Sequence, residues 1–257
     1  MKDKKKFIST IILIGGSGSR FSSINEQPKQ LSKLNNEYIL LHIINHFRKF
    51  GLNHFILPLG LKKKYFTEFF NSKKNKSKYS FQILKKNSNE QDINPKKINI
   101  TLFDAGKNTN KLMRIKKSLK YVLKENFFVA YGDDLSNINL KLVYKKFEKN
   151  KKKKAIVTIF KKNSQYGHVV TNSKGIIKRF LEKPPFQYPI NIGNYILKKS
   201  FFKKYSTNNM ELENNFLPIL AKKNFLLAYE HKGYFYSIND KKELLIAQKK
   251  FKKKIKN

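Results

Sequence analysis

The sequence predicts an α/β fold: a mixed, mostly parallel sheet with helices on both faces, followed by a β-rich C-terminal part. Three observations carry this expectation. Over the first ~160 residues, short β-branched apolar runs alternate with amphipathic stretches, which is how strand–helix–strand units with a covered parallel sheet read. The first apolar run, residues 9–14, passes into a loop with three glycines in four positions, Gly15, Gly16 and Gly18. Beyond residue 160, strand-like runs follow one another with fewer helical stretches between them.

Taken in order, residues 9–14 form a buried first strand. The glycine loop ends on Arg20, and residues 21–31 are polar and proline-marked, hence an ordered loop. Residues 38–50 repeat apolar side chains at three and four, and Gly51 stops them, predicting an amphipathic helix. His42 and His46 lie four apart on it. With no carboxylate or third histidine nearby in sequence, they read as packed or solvated rather than metal-binding. A second strand over 54–60 and a short helix over 65–70 follow. Residues 71–95 are rich in Asn, Ser and Lys, and we expect a loop-rich, mobile excursion there. Further strands are expected at 98–104, 127–131 and 155–160, with helices at 112–123 and 140–149. The lysine run 151–154 reads as a solvated turn. Strands at 167–170, 176–181 and 191–197 come next. A helix at 212–223, strands at 225–230 and 234–238, and a helix at 241–254 complete the chain, whose basic end at 249–257 reads as a fraying helix terminus.

Composition narrows the function. The 257 residues, 40% hydrophobic and 14% aromatic, are enough for a real core. No apolar run approaches the ~20 residues of a membrane helix. The basic start runs into Gly15-Gly16 without a cleavage site, so no signal peptide is expected. Without cysteine there are no disulfides and no thiolate metal sites, and a cytoplasmic protein is expected. The net charge of +39 would ordinarily suggest nucleic acid. However, the lysines are spread along the whole chain, and arginine occurs only at Arg20, Arg48, Arg114 and Arg179. Lys, Asn, Ile and Phe are residues of A/T-rich codons, which accounts for the charge without a nucleic-acid partner. The charge still favours anionic substrates.

The chemistry gathers at strand ends. Glycine lets consecutive N–H groups converge on an anion, and Arg20 adds a planar fork of donors. Lys29 lies nearby in sequence, and the strand at 127–131 runs into Gly132-Asp133-Asp134. In a parallel sheet both places fall at carboxyl ends, where ligands bind. The glycines and cations suit a nucleoside triphosphate. The carboxylate of Asp133 suits Mg²⁺, a hard ion that prefers oxygen. Such a set serves phosphoryl or nucleotidyl transfer, which needs alignment and charge neutralisation more than covalent help.

At these residues a resemblance emerges. Residues 11–20, Gln27-Pro28-Lys29, 38–43 and 51–56 resemble the opening of the sugar-phosphate nucleotidyltransferases. The likeness continues at 99–106, Arg114-Ile115-Lys116, 128–133, Tyr166-Gly167, 180–184, 190–195 and 229–234. It spans nearly the whole chain in order and is closest to the glucose-1-phosphate cytidylyltransferases, which make CDP-glucose. It implies a Rossmann-like fold of the nucleotide-diphospho-sugar transferase type in one domain. Residues 1–160 would be the nucleotide-binding half, 161–240 the sugar-phosphate half and 241–257 a C-terminal helix.

It also implies that Ile14, Gly15, Gly16, Ser17, Gly18, Ser19 and Arg20 cradle the triphosphate and that Lys29 stabilises phosphate charge. Thr109 and Arg114 would touch the nucleotide, with Gly132 beneath it. Asp133 would bind Mg²⁺, and Lys183 and Asn191 would hold the sugar 1-phosphate. The implied partners are CTP and glucose 1-phosphate, with neither nucleic acid nor membrane; self-association is left open. Two departures stand out. The family's glycine pair before the arginine is Leu112-Met113 here, where bulk could crowd the nucleotide. Its second metal carboxylate aligns with Asn239, with Asp240 adjacent, so either a one-residue slip brings in Asp240 or the metal site is weakened.

Overall fold

The computed structural model describes residues 8–16 and 26–255, with side chains up to Phe251. In chain order its elements are β1 (Ser9–Leu13), β2 (Lys33–Leu34), β3 (Glu37–Tyr38), α1 (Ile39–Arg48), β4 (His54–Leu59), α2 (Lys63–Asn71), α3 (Lys73–Tyr79), β5 (Phe81–Ile83), β6 (Ile98–Asp104), α4 (Lys111–Ser118), β7 (Asn126–Tyr131), β8 (Asp134–Ser136), α5 (Leu140–Lys149), β9 (Ala155–Phe160), β10 (His168–Thr171), β11 (Ile177–Leu181), β12 (Ile190–Lys198), α6 (Lys199–Tyr205), α7 (Leu217–Lys222), β13 (Leu226–His231), β14 (Phe235–Ser237) and α8 (Lys241–Ile255).

Eight strands form the central sheet in the order β13-β9-β12-β7-β1-β4-β6-β5. Its pairings are parallel except those of β12, which runs against both β7 and β9. The fold is therefore the mixed, mostly parallel α/β class that the alternation predicts. β1 shows why helices must cover both faces. Ile12 and Ile14 enter a core with α1, α2 and α5. Ile11 and Leu13 enter a second core with Leu112 and Ile115 of α4, Phe202 of α6 and Leu220 of α7. Successive strand side chains point to opposite faces, and here both faces are dry.

Three small ribbons stand outside the sheet: β2–β3, β8–β14 and β10–β11. The last is an antiparallel hairpin whose Val169, Val170, Ile177 and Phe180 are exposed. Among the described residues no helix is long and apolar enough to cross a membrane.

Several expectations are corrected. The stretch 71–95 is not simply loop. It holds α3, which Ser72 caps by accepting from the Asn75 N–H and Ser80 closes in the left-handed region (φ 55°), and it holds β5 on the sheet edge. The helix expected over 112–123 ends at Ser118 and gives way to a 3₁₀ turn, Leu119–Tyr121. The one expected over 212–223 opens as a π turn, Leu212–Phe216, before α7. Pro218, with no N–H to donate four residues back, interrupts an ordinary ladder there. The helix α6 and the short strand β8 carry no clear periodic signal and were not foreseen. The basic C-terminal stretch stays helical to Ile255.

Candidate active site

The site begins where β1 and β7, far apart in sequence, become neighbours. Leu13 lies beside Tyr131 in the parallel ladder, and the Gly132 N–H donates to the Leu13 carbonyl at 3.1 Å. Gly15-Gly16 and Gly132-Asp133 thus leave the same sheet edge side by side. At Gly132 a Cβ would meet the Ile14 side chain at 2.5 Å and the Leu13 carbonyl at 3.0 Å, so only glycine lets the two strand ends approach this closely. Gly16 is exposed and opens onto free space. Ser17, Gly18, Ser19 and Arg20, expected to complete the cradle, lie outside the described residues.

Lys29 arrives from a 3₁₀ turn, Lys29–Leu31, begun by Pro28 and anchored by the buried Gln30 and Leu31. The turn delivers the Lys29 ammonium to 2.5 Å from Asp133 Oδ2, with only 11% and 23% of the two side chains exposed. The next residue, Asp134, is buried in β8. Burial, and then the charge of Asp133, push its carboxyl well above the usual carboxylate range, against the pull of a Ser237 hydrogen bond. Asp133 thus pairs with a lysine, while its buried neighbour Asp134 is disposed to keep its proton.

β14 brings the C-terminal candidates to the same place. Ser237 pairs with Asp134, and the Ile238 N–H donates to the Asp133 carbonyl at 3.0 Å. Asn239 and Asp240 follow immediately. Asp240 Oδ1 accepts from the Glu243 N–H at 2.7 Å and caps α8, while Glu243 Oε2 accepts from the Asn239 N–H at 2.7 Å. The Asn239 amide donates to Ser237 Oγ at 3.1 Å. Asp240 therefore has a structural duty whether or not it also meets a cation. No cluster of three or more acidic or histidine ligands occurs among the described residues. The oxygens of Asp133, Asn239 and Asp240 are nevertheless the hard donors Mg²⁺ accepts. Because that ion usually keeps waters and phosphates for most of its shell, one or two of them fit it. His42 and His46 are packed: their Nε2 atoms lie 3.0 and 2.9 Å from the Leu34 and Ile138 carbonyls.

The remaining candidates each have protein partners of their own. Thr109 donates to the Ala105 carbonyl at 2.6 Å. Arg114 is buried, and its guanidinium is held by main-chain carbonyls at the ends of β1, β4 and β6. Leu112 points into the second core and does not crowd the strand ends as its bulk suggested. Lys183 is exposed at φ 47°, with its ammonium 3.3 Å from Glu182. Asn191 folds its own loop, accepting from the Gly193 N–H at 3.0 Å and donating to the Tyr195 hydroxyl at 2.6 Å.

Beneath that loop lies a cluster that sequence reading missed. Tyr195 and Tyr131 hydroxyls are 2.9 Å apart, the Tyr131 hydroxyl donates to Glu213, and Lys111 pairs with Glu213 while lying 4.6 Å from the Tyr131 ring centre. Burial drives both tyrosine hydroxyls far above their ordinary range. One signal was available. In a chain with 17 acids against 56 bases, two carboxylates set either side of Leu212, Glu211 and Glu213, stand out.

Known proteins share this plan. The chain is 32% identical over 250 residues to a probable glucose-1-phosphate cytidylyltransferase of Bacillus subtilis, covering 94% of this chain and 95% of that one. It is 26% identical over 248 residues to a mannose-1-phosphate guanylyltransferase catalytic subunit beta of Xenopus tropicalis, covering 93% of this chain and 63% of that one. Its fold matches a UDP-glucose pyrophosphorylase solved with UDP-glucose at a TM-score of 0.69 and 20% identity, covering 96% and 99% of the two chains. The nucleotidyl transferase family profile matches residues 9–242, from the start of β1 into α8. Strand ends, basic turn and capping segment all fall within that span, and the chain belongs to the nucleotidyl transferase family, as a sugar-1-phosphate nucleotidyltransferase.

Proposed function

We propose that this protein joins a nucleoside triphosphate to a sugar 1-phosphate, giving a nucleotide-sugar and pyrophosphate, with CTP and glucose 1-phosphate as the first substrates to try. The observation that carries this reading is the Lys29–Asp133 pair at the ends of β1 and β7, beside the open Gly16. In the reaction, an oxygen of the sugar 1-phosphate forms a bond to the α-phosphorus, and the bond from that phosphorus to the pyrophosphate oxygen breaks on the opposite side. The backbone N–H groups of the glycine loop bind the triphosphate and orient it. Lys29 neutralises charge that builds on the phosphates. Asp133, with Asn239 or Asp240, would hold Mg²⁺, which on binding would screen the triphosphate and favour departure of pyrophosphate. Lys183 and Asn191 orient the sugar phosphate. CTP is favoured by the sequence likeness to the cytidylyltransferases, and a cytoplasmic setting follows from the substrates. A panel of four nucleoside triphosphates against several sugar 1-phosphates, with Mg²⁺ and pyrophosphate release as the readout, tests the proposal. Release with CTP and glucose 1-phosphate supports it, and silence across the panel refutes it.

A second reading is a relative that binds these ligands without turning them over. It is favoured by Asn239, a neutral group where the resemblance expects a carboxylate, and by the capping duty of Asp240. Tight nucleotide binding by calorimetry with no pyrophosphate release would establish it.

A further inference from the structure

We propose that Arg114 is a positioning residue: it clasps the carboxyl ends of three adjacent parallel strands and thereby shapes the phosphate-facing loop, without touching nucleotide itself. The proposal rests on the reading that Gly15-Gly16 receive a triphosphate. β1, β4 and β6 are neighbours in the sheet. Where parallel strands end, carbonyls lose ladder partners, and burying one unpaired is costly; the Leu59 carbonyl still accepts from the Ala105 N–H at 2.9 Å and takes Arg114 on its second lone pair. Arg114, from α4, answers this at one point. Its Nε donates to the Thr109 carbonyl at 2.9 Å. Nη1 donates to the Pro58 and Leu59 carbonyls at 3.3 and 3.1 Å. Nη2 donates to Gly15 at 2.8 Å and to Gly106 at 3.3 Å.

A guanidinium has five N–H donors, and each of them has a carbonyl acceptor here. None is left for a base or phosphate, and the residue is only 4% exposed. The glycines around it fit the same role. A Cβ on Gly15 would overlap the guanidinium, and one on Gly60 would overlap the Gly15 carbonyl and meet Arg114 Nη2 at 2.6 Å. The planar fork thus lies in a slot that only glycine on both sides leaves open. Lysine offers a compact point charge and cannot reach carbonyls on three strands at once.

The test uses the full chain and two variants. Arg114→Lys keeps the charge and loses the fork. Gly60→Ala keeps the arginine and displaces it. Hydrogen–deuterium exchange should rise in both variants over residues 8–16, 57–62 and 104–110 together, and not elsewhere. The KM for every nucleoside triphosphate should rise by the same factor, roughly 10–100-fold, with the KM for sugar 1-phosphate kept. Unchanged exchange at those strand ends overturns the clasp. So does a loss confined to one base, which would make Arg114 a ligand of that base. Should Arg114→Lys fail to fold, Gly60→Ala decides alone. Exchange, and binding of inorganic tripolyphosphate by calorimetry, need no turnover. A wild-type protein that releases no pyrophosphate therefore sinks the transferase reading while the clasp is still judged.

Discussion

At the end of a parallel strand, the Asp133 carboxylate lies 2.5 Å from the Lys29 ammonium, and the proposed reaction gives that charge a role in turnover. Asp133→Asn keeps the shape of that side chain and removes its charge. Pyrophosphate release should fall by roughly 100-fold or more, with thermal unfolding little changed, because the charge stabilises the reacting state more than the fold. Turnover equal to wild type would remove Asp133 from the machinery. Asp240 needs a subtler substitution, since it caps α8. Asp240→Ala should cost about 1 kcal/mol of stability through the lost cap, whereas Asp240→Asn retains a capping oxygen. If Asp240 also serves a cation, Asp240→Asn will melt like wild type yet need more Mg²⁺ for half-maximal rate. Full activity in Asp240→Asn with loss in Asn239→Ala would hand the role to Asn239. At this scale the sequence singled out Asp133 by residue type and strand-end position and Lys29 by type and nearness in the chain, and the structure sets the two side by side. The engagement of Arg114 was not legible, because which carbonyls converge on it depends on three strands meeting.

Elements were legible where their burial is periodic. α1 buries Ile39, Leu40, Leu41, Ile43, Ile44 and Phe47, and its apolar spacing announces it. α3 buries nothing and is mostly lysine, asparagine and serine, so no hydrophobic period marks it. It exists because Ser72 caps one end and Ser80 turns the other. Ser80 sits at φ 55°, a conformation that costs a non-glycine residue free energy. Ser80→Gly should therefore stabilise the protein by about 0.5–1 kcal/mol in urea unfolding, leaving activity unchanged. A loss of stability would mean that the Ser80 side chain matters more than its backbone strain. α6 escaped for a related reason: it has seven residues and one buried side chain, Phe202, too few to show a period.

For the molecule as a whole, a polar thread crosses the sheet interior. Ser9 Oγ lies 3.0 Å from His54 Nδ1, and His54 Nε2 lies 3.2 Å from Thr101 Oγ1, linking β1, β4 and β6. Burial lowers His54 from 6.5 to about 4, and His46 likewise. His54 is buried and His46 half-buried, and both resist taking up a proton. Above pH 6.5 neither folded nor unfolded chain protonates them. As pH falls from 6.5 towards 4 the unfolded chain takes up protons that the folded chain refuses. Stability should therefore fall through that window, by up to about 3 kcal/mol per histidine, in urea titrations at fixed salt. A flat profile there would mean that these histidines are not held neutral.

The sequence by itself determined the α/β class, the order of most strands and helices, and the residue types of the site, because these follow from local periodicity, glycine and charge. Only the tertiary structure decided which strands are neighbours. Strand order places Gly132-Asp133 beside Gly15, brings Asn239 and Asp240 to the same edge through β14, and closes the carbonyl ring around Arg114. Those contacts join residues distant in sequence, and the burial that fixes them acts across the whole sheet at once.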